Sequence, residues 1–173
     1  IFMFRQSYNQ RSNFTHPRRR QPRPLATSLL VRKAVEKPEV PYEAKHKFTD
    51  FLISSQLQRN IAEKGYSQPT PIQDQVIPVA LAGRDVVGIA NTGTGKTGAF
   101  LIPLINKTFY NRAQRVLIIA PTRELAVQIQ EECKIFANGM NIFTTLAIGG
   151  ASMYHQISSL KRRPQFVIGT PGR

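Results

Sequence analysis

The 173-residue sequence is poor in the residues that build disulfide-linked or metal-bound domains. It has one cysteine, no tryptophan and three histidines that lie far apart in the chain. A single cysteine excludes an internal disulfide and a cysteine-rich zinc site, and the histidines lack metal-ligand spacing. The longest apolar runs have about seven residues, whereas a helix needs about 20 to cross a bilayer. The sequence therefore argues against a disulfide scaffold, a zinc module and a transmembrane protein.

Acidic residues are also scarce. Ten Asp and Glu residues oppose 24 Lys and Arg residues, which gives a formal net charge of +14. So strong a positive charge favours a polyanionic partner, either a nucleic acid or an anionic membrane surface. The length allows one domain with a sizeable core.

The positive charge is concentrated at the beginning of the chain. Residues 1–47 contain 11 of the basic residues and 3 of the acidic ones, a net charge of +8. The stretch 5–24 is rich in Arg, Gln, Asn, Ser and Pro and lacks apolar periodicity. We therefore interpret residues 1–47 as a disordered basic tail. Three roles stay open for it: a nucleic-acid-binding arm, a solvated linker or an organellar transit peptide.

A folded domain is predicted over residues 48–173, where helical and strand patterns alternate. Asp50 is expected to cap a first helix that ends near Gly65. Apolar spacing and Pro/Gly punctuation predict four further helices and four strands: helices over 71–81, from 96 onwards, over 123–137 and over 153–160, and strands over 86–89, 116–120, 144–148 and 166–168. The continuous apolar run 116–120 predicts a strand covered on both faces. The alternation indicates an α/β fold with a parallel sheet.

The strongest chemical signal is the string Ala90-Asn91-Thr92-Gly93-Thr94-Gly95-Lys96-Thr97. It follows a predicted strand and opens a predicted helix, which is the setting of a P-loop. Its glycines let the backbone approach phosphate oxygens, and a helix N-terminus favours an anion. Lys96 can reach the β- and γ-phosphates of a nucleotide, and the Thr97 hydroxyl can ligate Mg²⁺.

A second string, Gly65 to Gln73, predicts a proline-stiffened turn that leads into a helix. Gln73 falls in the first turn of that helix, and a Gln carboxamide can pair with N6 and N7 of adenine. Tyr66 offers a flat ring on which a base can stack. The two side chains therefore suggest recognition of adenine next to the phosphate loop.

Three short strings of turn residues occupy the second half of the chain. Pro121–Ala126 and Thr170–Arg173 each follow a predicted strand, and Gly149-Gly150 lies between them in sequence. The carboxyl ends of the strands form the ligand edge of an open α/β sheet. Thr hydroxyls, Arg side chains and backbone N–H groups at helix starts suit contacts to phosphates. Each string alone is weak, but their order along the chain makes the set informative.

These strings together resemble the first part of a DEAD-box ATP-dependent RNA helicase, and the resemblance covers residues 48–173. The correspondence is as follows: Gly65–Gln73 resembles the Q motif with Phe48 as its upstream aromatic, Ala90–Thr97 motif I with Asn91 where Gln is commoner, Pro121–Ala126 motif Ia, Gly149-Gly150 the GG element and Thr170–Arg173 motif Ib. The resemblance implies a P-loop, RecA-like first helicase domain, incomplete at its carboxyl end and preceded by the basic tail. Its Q-motif region would span residues 48–76 and its P-loop residues 90–97.

The resemblance also implies which residues bind which ligand. ATP with Mg²⁺ would be bound by Phe48, Tyr66, Gln73, Thr92, Gly93, Thr94, Gly95, Lys96 and Thr97. Of these, Lys96 and Thr97 would take part in catalysis, and Thr97 would hold the metal. Single-stranded RNA would be held along its backbone, without sequence preference, by Pro121, Thr122, Arg123, Gly149, Gly150, Thr170, Pro171, Gly172 and Arg173. Pro121 and Glu124 would mainly shape the turn of motif Ia.

The 173 residues contain neither an Asp-Glu-Ala-Asp string nor a second RecA-like domain, so we expect a fragment of a larger enzyme. That enzyme would use ATP to unwind short RNA duplexes or to remodel RNA–protein complexes, and the fragment alone would be inactive. Two alternatives stay open: a DNA helicase of the same superfamily and a non-catalytic module that binds nucleotide and RNA. We expect a cytoplasmic protein without a membrane partner, or an organellar one if the tail is a transit peptide.

Overall fold

The computed structural model describes residues 42–173, so the predicted tail lies outside the described residues up to residue 41. The described chain forms a short 3-10 turn, five helices and three strands: the turn at Phe48–Asp50, α1 (Ser55–Glu63), α2 (Pro71–Leu81), α3 (Lys96–Tyr110), β1 (Val116–Ile119), α4 (Arg123–Phe136), β2 (Thr144–Ala147), α5 (Met153–Lys161) and β3 (Phe166–Gly169). None of the helices between residues 42 and 173 combines the length and apolarity that a membrane crossing requires.

The three strands form one parallel sheet in the order β1-β3-β2. Val116 and Thr144 both pair with Phe166 at the start of β3, and Ile119 and Ala147 both pair with Gly169 at its end. Gly169 allows this close pairing, because a Cβ there would lie 2.4 Å from the carbonyl oxygen of Ala147. The predicted α/β fold with a parallel sheet is therefore confirmed.

The first helix begins later than the sequence pattern suggested. Ser54 is its N-cap, and the Ser54 hydroxyl accepts a hydrogen bond from the N–H of Leu57 at 3.3 Å. Asp50 belongs to the preceding 3-10 turn, where its carboxylate accepts from the N–H of Lys47 at 2.7 Å. The prediction of Asp50 as the helix cap is wrong because an extended stretch separates that turn from α1.

The helices that carry the candidate site begin where local chemistry favours a helix start. Pro71 is the first residue of α2, where its missing N–H costs nothing. Thr122 caps α4, and its hydroxyl accepts from the N–H of Leu125 at 3.2 Å. Buried amides then fix the helices to each other. The Asn60 side chain of α1 donates to the carbonyls of Phe136 and Asn138 at the end of α4, at 2.6 and 2.8 Å.

One apolar core lies among the helices and the sheet. α2 packs on α3, while α4 packs on α1, α3, β2 and β3. The fully buried side chains of this core include Leu57, Ile77, Leu101, Ile102, Ile105, Phe136, Phe166 and Ile168. Cys133 of α4 is also fully buried. Burial raises the pKa of the Cys133 thiol to about 12, so the group stays protonated and unreactive.

The predicted strand over residues 86–89 is not formed. Val87 and Ile89 are 91% and 92% exposed, and the segment pairs with no strand of residues 42–173. A strand is stabilised by hydrogen bonds to neighbouring strands, so an apolar run with no adjacent strand stays irregular.

A second expectation, that β1 is covered on both faces, is also corrected. Leu117 and Ile119 of the edge strand β1 are 68% and 64% exposed, so β1 is covered on one face and not on both.

Candidate functional site

The phosphate loop of residues 90–97 turns sharply into α3. Gly93 and Gly95 have φ angles of 82° and 87°, in the left-handed region that favours glycine. The helix hydrogen bonds begin with the N–H of Ala99, which donates to the carbonyl of Gly95 at 3.1 Å. The N–H groups of the three residues before Ala99 therefore have no acceptor within the helix. This geometry suits an anion at the helix N-terminus.

Side chains of the loop close it on itself. The Lys96 ammonium donates to the carbonyl of Asn91 at 2.6 Å and also to the carbonyl of Ala90. The Thr94 hydroxyl donates to the same Asn91 carbonyl at 2.8 Å. Lys96 therefore lies within the loop with its charge held by backbone dipoles, and a phosphate oxygen would have to replace these carbonyls as its partner.

Gln73 joins α2 directly to the phosphate loop. Its carbonyl oxygen accepts from the N–H of Thr70 at 3.1 Å, and its amide group donates to the carbonyl of Gly95 at 3.0 Å. The residue is 1% exposed. Both ends of the carboxamide are thus engaged, so the predicted bidentate pairing with adenine requires Gln73 to exchange these partners. The adenine contact stays a prediction, whereas the contact with the loop is a feature of the structure.

Two glycines make this contact possible. A Cβ at Gly95 would lie 2.5 Å from Nε2 of Gln73 and 3.0 Å from the Thr70 hydroxyl oxygen. A Cβ at Gly98 would lie 2.9 Å from the same Nε2 and 3.3 Å from Cε2 of Tyr66. The start of α3 therefore packs on the Gln73 carboxamide at a distance that only glycine permits.

Tyr66, predicted to stack on a base, and Phe48, the upstream aromatic of the Q motif, lie in one aromatic cluster. The ring centroids of Tyr66 are 6.0 Å from Phe48 and 5.7 Å from Phe136. The Tyr66 hydroxyl donates to Glu132 at 3.1 Å, and Phe48 is buried in the core. Burial, reinforced by the Glu132 carboxylate, raises the pKa of Tyr66 to about 12, so the phenol remains a donor. As placed here, the cluster supports the loop around Gln73, and direct stacking on a base stays a prediction.

The strings that follow the strands meet at one edge of the sheet. The Arg123 guanidinium lies against the Gly149-Gly150 backbone, since Cβ atoms there would lie 2.8 and 2.7 Å from its terminal nitrogens. Thr122 precedes it at the exposed start of α4, where its hydroxyl caps the helix. Arg123 of motif Ia and Gly149 are thus in contact, although 25 residues lie between them in sequence.

Arg173 holds the same loop from the third strand. Its guanidinium donates to the carbonyls of Ile148 at 3.0 Å and Ala151 at 2.9 Å. The N–H of Thr170, after β3, donates to the carbonyl of Ala147 at 3.1 Å. Pro171 and Gly172 occupy the exposed turn between Thr170 and Arg173. The three predicted backbone-binding strings therefore form one surface at the carboxyl ends of β1, β2 and β3.

This chain is similar to known proteins in both sequence and fold. The profile of the DEAD/DEAH box helicase family matches residues 70–173. The chain belongs to this family. The ATP-dependent RNA helicase CshA of Limosilactobacillus reuteri is 46% identical over 128 residues, which are 73% of this chain and 26% of CshA. A crystal structure of a DEAD box protein from the hyperthermophile Methanococcus jannaschii matches with a TM-score of 0.70 at 38% identity, over 73% of this chain and 35% of that one.

Membership of the DEAD/DEAH box helicase family confirms the predicted resemblance and the RecA-like parallel α/β fold. The chain spans about a quarter of the length of CshA, one of the curated relatives that it matches. The family profile spans α2, the phosphate loop and the strings that follow the strands, while the activity of a whole helicase is a matter of proposal.

One buried charged residue beside Gln73 was not singled out by the sequence patterns. Asp74 follows Gln73 in α2 and is 3% exposed. Its carboxylate accepts from the Tyr42 hydroxyl and the Lys45 N–H, and it contacts His46 as well. Burial alone would raise the pKa of Asp74, but these hydrogen bonds outweigh it and lower the pKa to about 2. Partners so far apart in sequence leave no local signal.

The phosphate loop suits a nucleoside triphosphate better than it suits a free metal ion. The left-handed glycines, the open helix N-terminus and Lys96 together suit phosphate oxygens. Among residues 42–173, no group of three His, Cys, Asp or Glu side chains is placed to hold a metal. Thr97 would therefore contribute a single hydroxyl to Mg²⁺. When bound, Mg²⁺ would neutralise phosphate charge.

Proposed function

We propose that this chain forms the ATP- and RNA-binding part of a DEAD-box RNA helicase that unwinds short RNA duplexes or remodels RNA–protein complexes. The observation that carries the proposal is the hydrogen bond from Gln73 to the carbonyl of Gly95. It joins a side chain able to read adenine to the loop that suits phosphates. A base and its phosphates would therefore be bound by one connected unit.

In the proposed site, Lys96 exchanges its bonds to the loop carbonyls for bonds to the β- and γ-phosphates. Thr97, next in the helix, would offer its hydroxyl to Mg²⁺. Gln73 pairs with the adenine edge, and Phe48 and Tyr66 present or support the aromatic surface beside it. The backbone of residues 92–95 surrounds the phosphates. Lys96 and Thr97 are the residues that take part in catalysis.

The proposed RNA surface is the strand-end edge. Thr122 and Arg123 start α4, whose N-terminus favours a phosphate. Gly149-Gly150 gives a backbone free of side chains, and Thr170 to Arg173 complete the surface. These groups suit sugar and phosphate and read no base edge, so recognition would be independent of sequence.

We propose a division into a basic tail at residues 1–47 and a helicase domain at 48–173.

The 173 residues contain no Asp-Glu-Ala-Asp string. The carboxylate that completes the Mg²⁺ site, and the positive groups that act on the leaving phosphate, would therefore come from outside these residues. On this account residues 1–173 alone bind ATP at most weakly and do not hydrolyse it.

The RNA proposal is tested by titrating the full-length protein with single-stranded RNA and with single-stranded DNA of the same sequence at several salt concentrations. Arg123→Gln should weaken RNA binding and reduce the salt slope by about 0.7, the value for one phosphate contact on a single strand. Arg59→Gln is the matched control, because Arg59 is an exposed arginine on α1. Equal effects of the two changes would contradict the proposed surface.

Duplex unwinding separates the proposed activity from its alternatives. RNA-stimulated ATP turnover with unwinding of short RNA duplexes supports an RNA helicase. Preferential unwinding of DNA would favour a DNA helicase of the same superfamily. Binding of ATP and RNA by the full-length protein without any turnover would favour a non-catalytic module.

A further inference from the structure

We propose that Asp74 is a positioning residue for base recognition, because it fastens the segment that leads into Phe48 to the helix that carries Gln73. We call Tyr42, Lys45, His46 and Asp74 the clasp. The inference rests on the proposed ATP-binding function and adds to it a determinant of adenine affinity beyond the residues predicted to bind ATP.

The clasp centres on one buried carboxylate that bonds to residues 28 to 32 positions earlier. Oδ2 of Asp74 accepts from the Tyr42 hydroxyl at 2.6 Å and from the Lys45 N–H at 2.8 Å. Oδ1 accepts from the His46 N–H at 3.2 Å and lies 2.6 Å from Nδ1 of His46. The Asp74 side chain is 1% exposed. A carboxylate this deeply buried needs such partners, so the segment 42–46 is bound to α2 strongly.

The clasp connects the two parts of the proposed base site. Residues 42–46 run directly into the 3-10 turn that begins with Phe48, whose ring contacts Phe51 and Tyr66 with centroids 6.0 Å apart in both pairs. The His46 ring also lies against Phe51, at 5.7 Å. The aromatic cluster is therefore anchored at its start by Asp74.

The other part of the base site adjoins Asp74 along the chain. Asp74 follows Gln73 immediately, and its own N–H donates to the carbonyl of Thr70 at 2.9 Å. Gln73 reaches the Thr70 N–H with its oxygen and Gly95 with its amide. The clasp thus sets the aromatic cluster and the Gln73 carboxamide relative to each other. None of its hydrogen bonds reaches residues 90–97, so its loss should affect the base more than the phosphates.

The test compares ATP with inorganic tripolyphosphate, both with Mg²⁺, as ligands of the full-length protein. Asp74→Ala removes the acceptor completely. Tyr42→Phe removes one bond and keeps the ring, so it remains informative if Asp74→Ala does not fold. Glu63→Gln, an exposed carboxylate on α1, is the matched control. Hydrogen exchange at the Lys45 and His46 amides reports on the clasp independently of any ligand.

In Asp74→Ala we expect the Lys45 and His46 amides to lose their protection from hydrogen exchange. The affinity for ATP should fall about tenfold, as for the loss of hydrogen bonds to a charged group. Tyr42→Phe should lower the affinity for ATP by a smaller factor. Tripolyphosphate affinity should stay at the wild-type value in both variants, and Glu63→Gln should change neither ligand. An equal loss of affinity for ATP and for tripolyphosphate would show that the clasp only stabilises the fold, and it would overturn the inference.

Two further outcomes would also overturn it: retained protection of the Lys45 amide in Asp74→Ala, or unchanged ATP affinity in the variants that lose protection. A wild-type protein that binds ATP no more tightly than tripolyphosphate would instead contradict base recognition itself, and with it the proposed function. The two failures are therefore distinguishable from the wild-type measurement alone.

Discussion

Gly93 and Gly95 form a natural pair for measuring how closely Gln73 packs on the phosphate loop. Both have left-handed φ angles, 82° and 87°. A Cβ at Gly93 would meet nothing within 4 Å, whereas a Cβ at Gly95 would lie 2.5 Å from Nε2 of Gln73. Substitution by alanine therefore imposes backbone strain at both positions and a steric clash at one.

The expected magnitudes follow from these two terms. Alanine in the left-handed region costs about 1 to 2 kcal/mol, and this cost applies to Gly93→Ala and Gly95→Ala alike. Overpacking a buried contact adds about 1 to 3 kcal/mol, which applies only to Gly95→Ala. Urea unfolding of the protein should therefore show Gly95→Ala to be less stable than Gly93→Ala by about 1 to 3 kcal/mol.

A double-mutant cycle identifies the clashing group. In a Gln73→Ala background the nearest atom is removed, and the Thr70 hydroxyl oxygen at 3.0 Å becomes the nearest neighbour of the new Cβ. Gly95→Ala should then cost about 1 kcal/mol less than it does in the wild type, as expected for residues in contact. Equal destabilisation by Gly93→Ala and Gly95→Ala, or strict additivity with Gln73→Ala, would refute the packing of Gln73 on the loop.

Three other changes probe separate parts of the site. Lys96→Ala should abolish ATP and GTP binding alike, because the phosphates lose their charged partner; unchanged ATP turnover would contradict the P-loop assignment. The pKa of Asp74 is lowered from 3.8 to about 2. Its carboxylate therefore adds about 2 kcal/mol of stability above pH 4, and this is lost as the pH falls from about 4 to 2. Asp74→Asn should remove that acid-sensitive part of the unfolding free energy, and an unchanged pH profile would contradict it. Gly149→Ala should displace the Arg123 guanidinium and weaken RNA binding about fivefold, equivalent to about 1 kcal/mol. Gly88→Ala is the control, because Gly88 lies outside the proposed RNA surface and its Cβ would make only ordinary contacts, the nearest 3.4 Å from Cδ1 of Ile72; equal effects of the two would argue against the Arg123 contact.

Local sequence patterns were sufficient for elements with clear punctuation. Pro71 marks the first residue of α2, and the helix ends at Leu81, two residues before Gly83. β1 and β2 lie within the runs expected for them, and β3 covers its expected run and one further residue, Gly169. β1 and β3 are apolar runs, and all three strands are paired in the sheet. The run 86–89 is equally apolar and forms no strand, since pairing depends on neighbours that a local pattern does not contain.

Local sequence patterns did not predict side-chain contacts between residues far apart in the chain. The string around Gln73 suggested a role next to the phosphate loop, but not that its amide bonds to Gly95. Arg123 on the Gly149-Gly150 backbone is a contact of the same kind. Asp74 was not singled out at all, because a lone carboxylate in a helix is ordinarily exposed. Only the packed fold shows that it is buried and hydrogen-bonded to residues 42–46.

The central claim is that Gln73 and the phosphate loop form one adenine-nucleotide site. The most direct measurement is the affinity of the full-length protein for ATP and for GTP, in the wild type, in Gln73→Ala and in the exposed control Gln68→Ala. The wild type should bind ATP more tightly than GTP. Gln73→Ala should lose about 1 to 3 kcal/mol of the free energy of ATP binding, the value of a bidentate contact to adenine. GTP binding should change less, and Gln68→Ala should change neither. Equal losses of ATP and GTP in Gln73→Ala would contradict the claim.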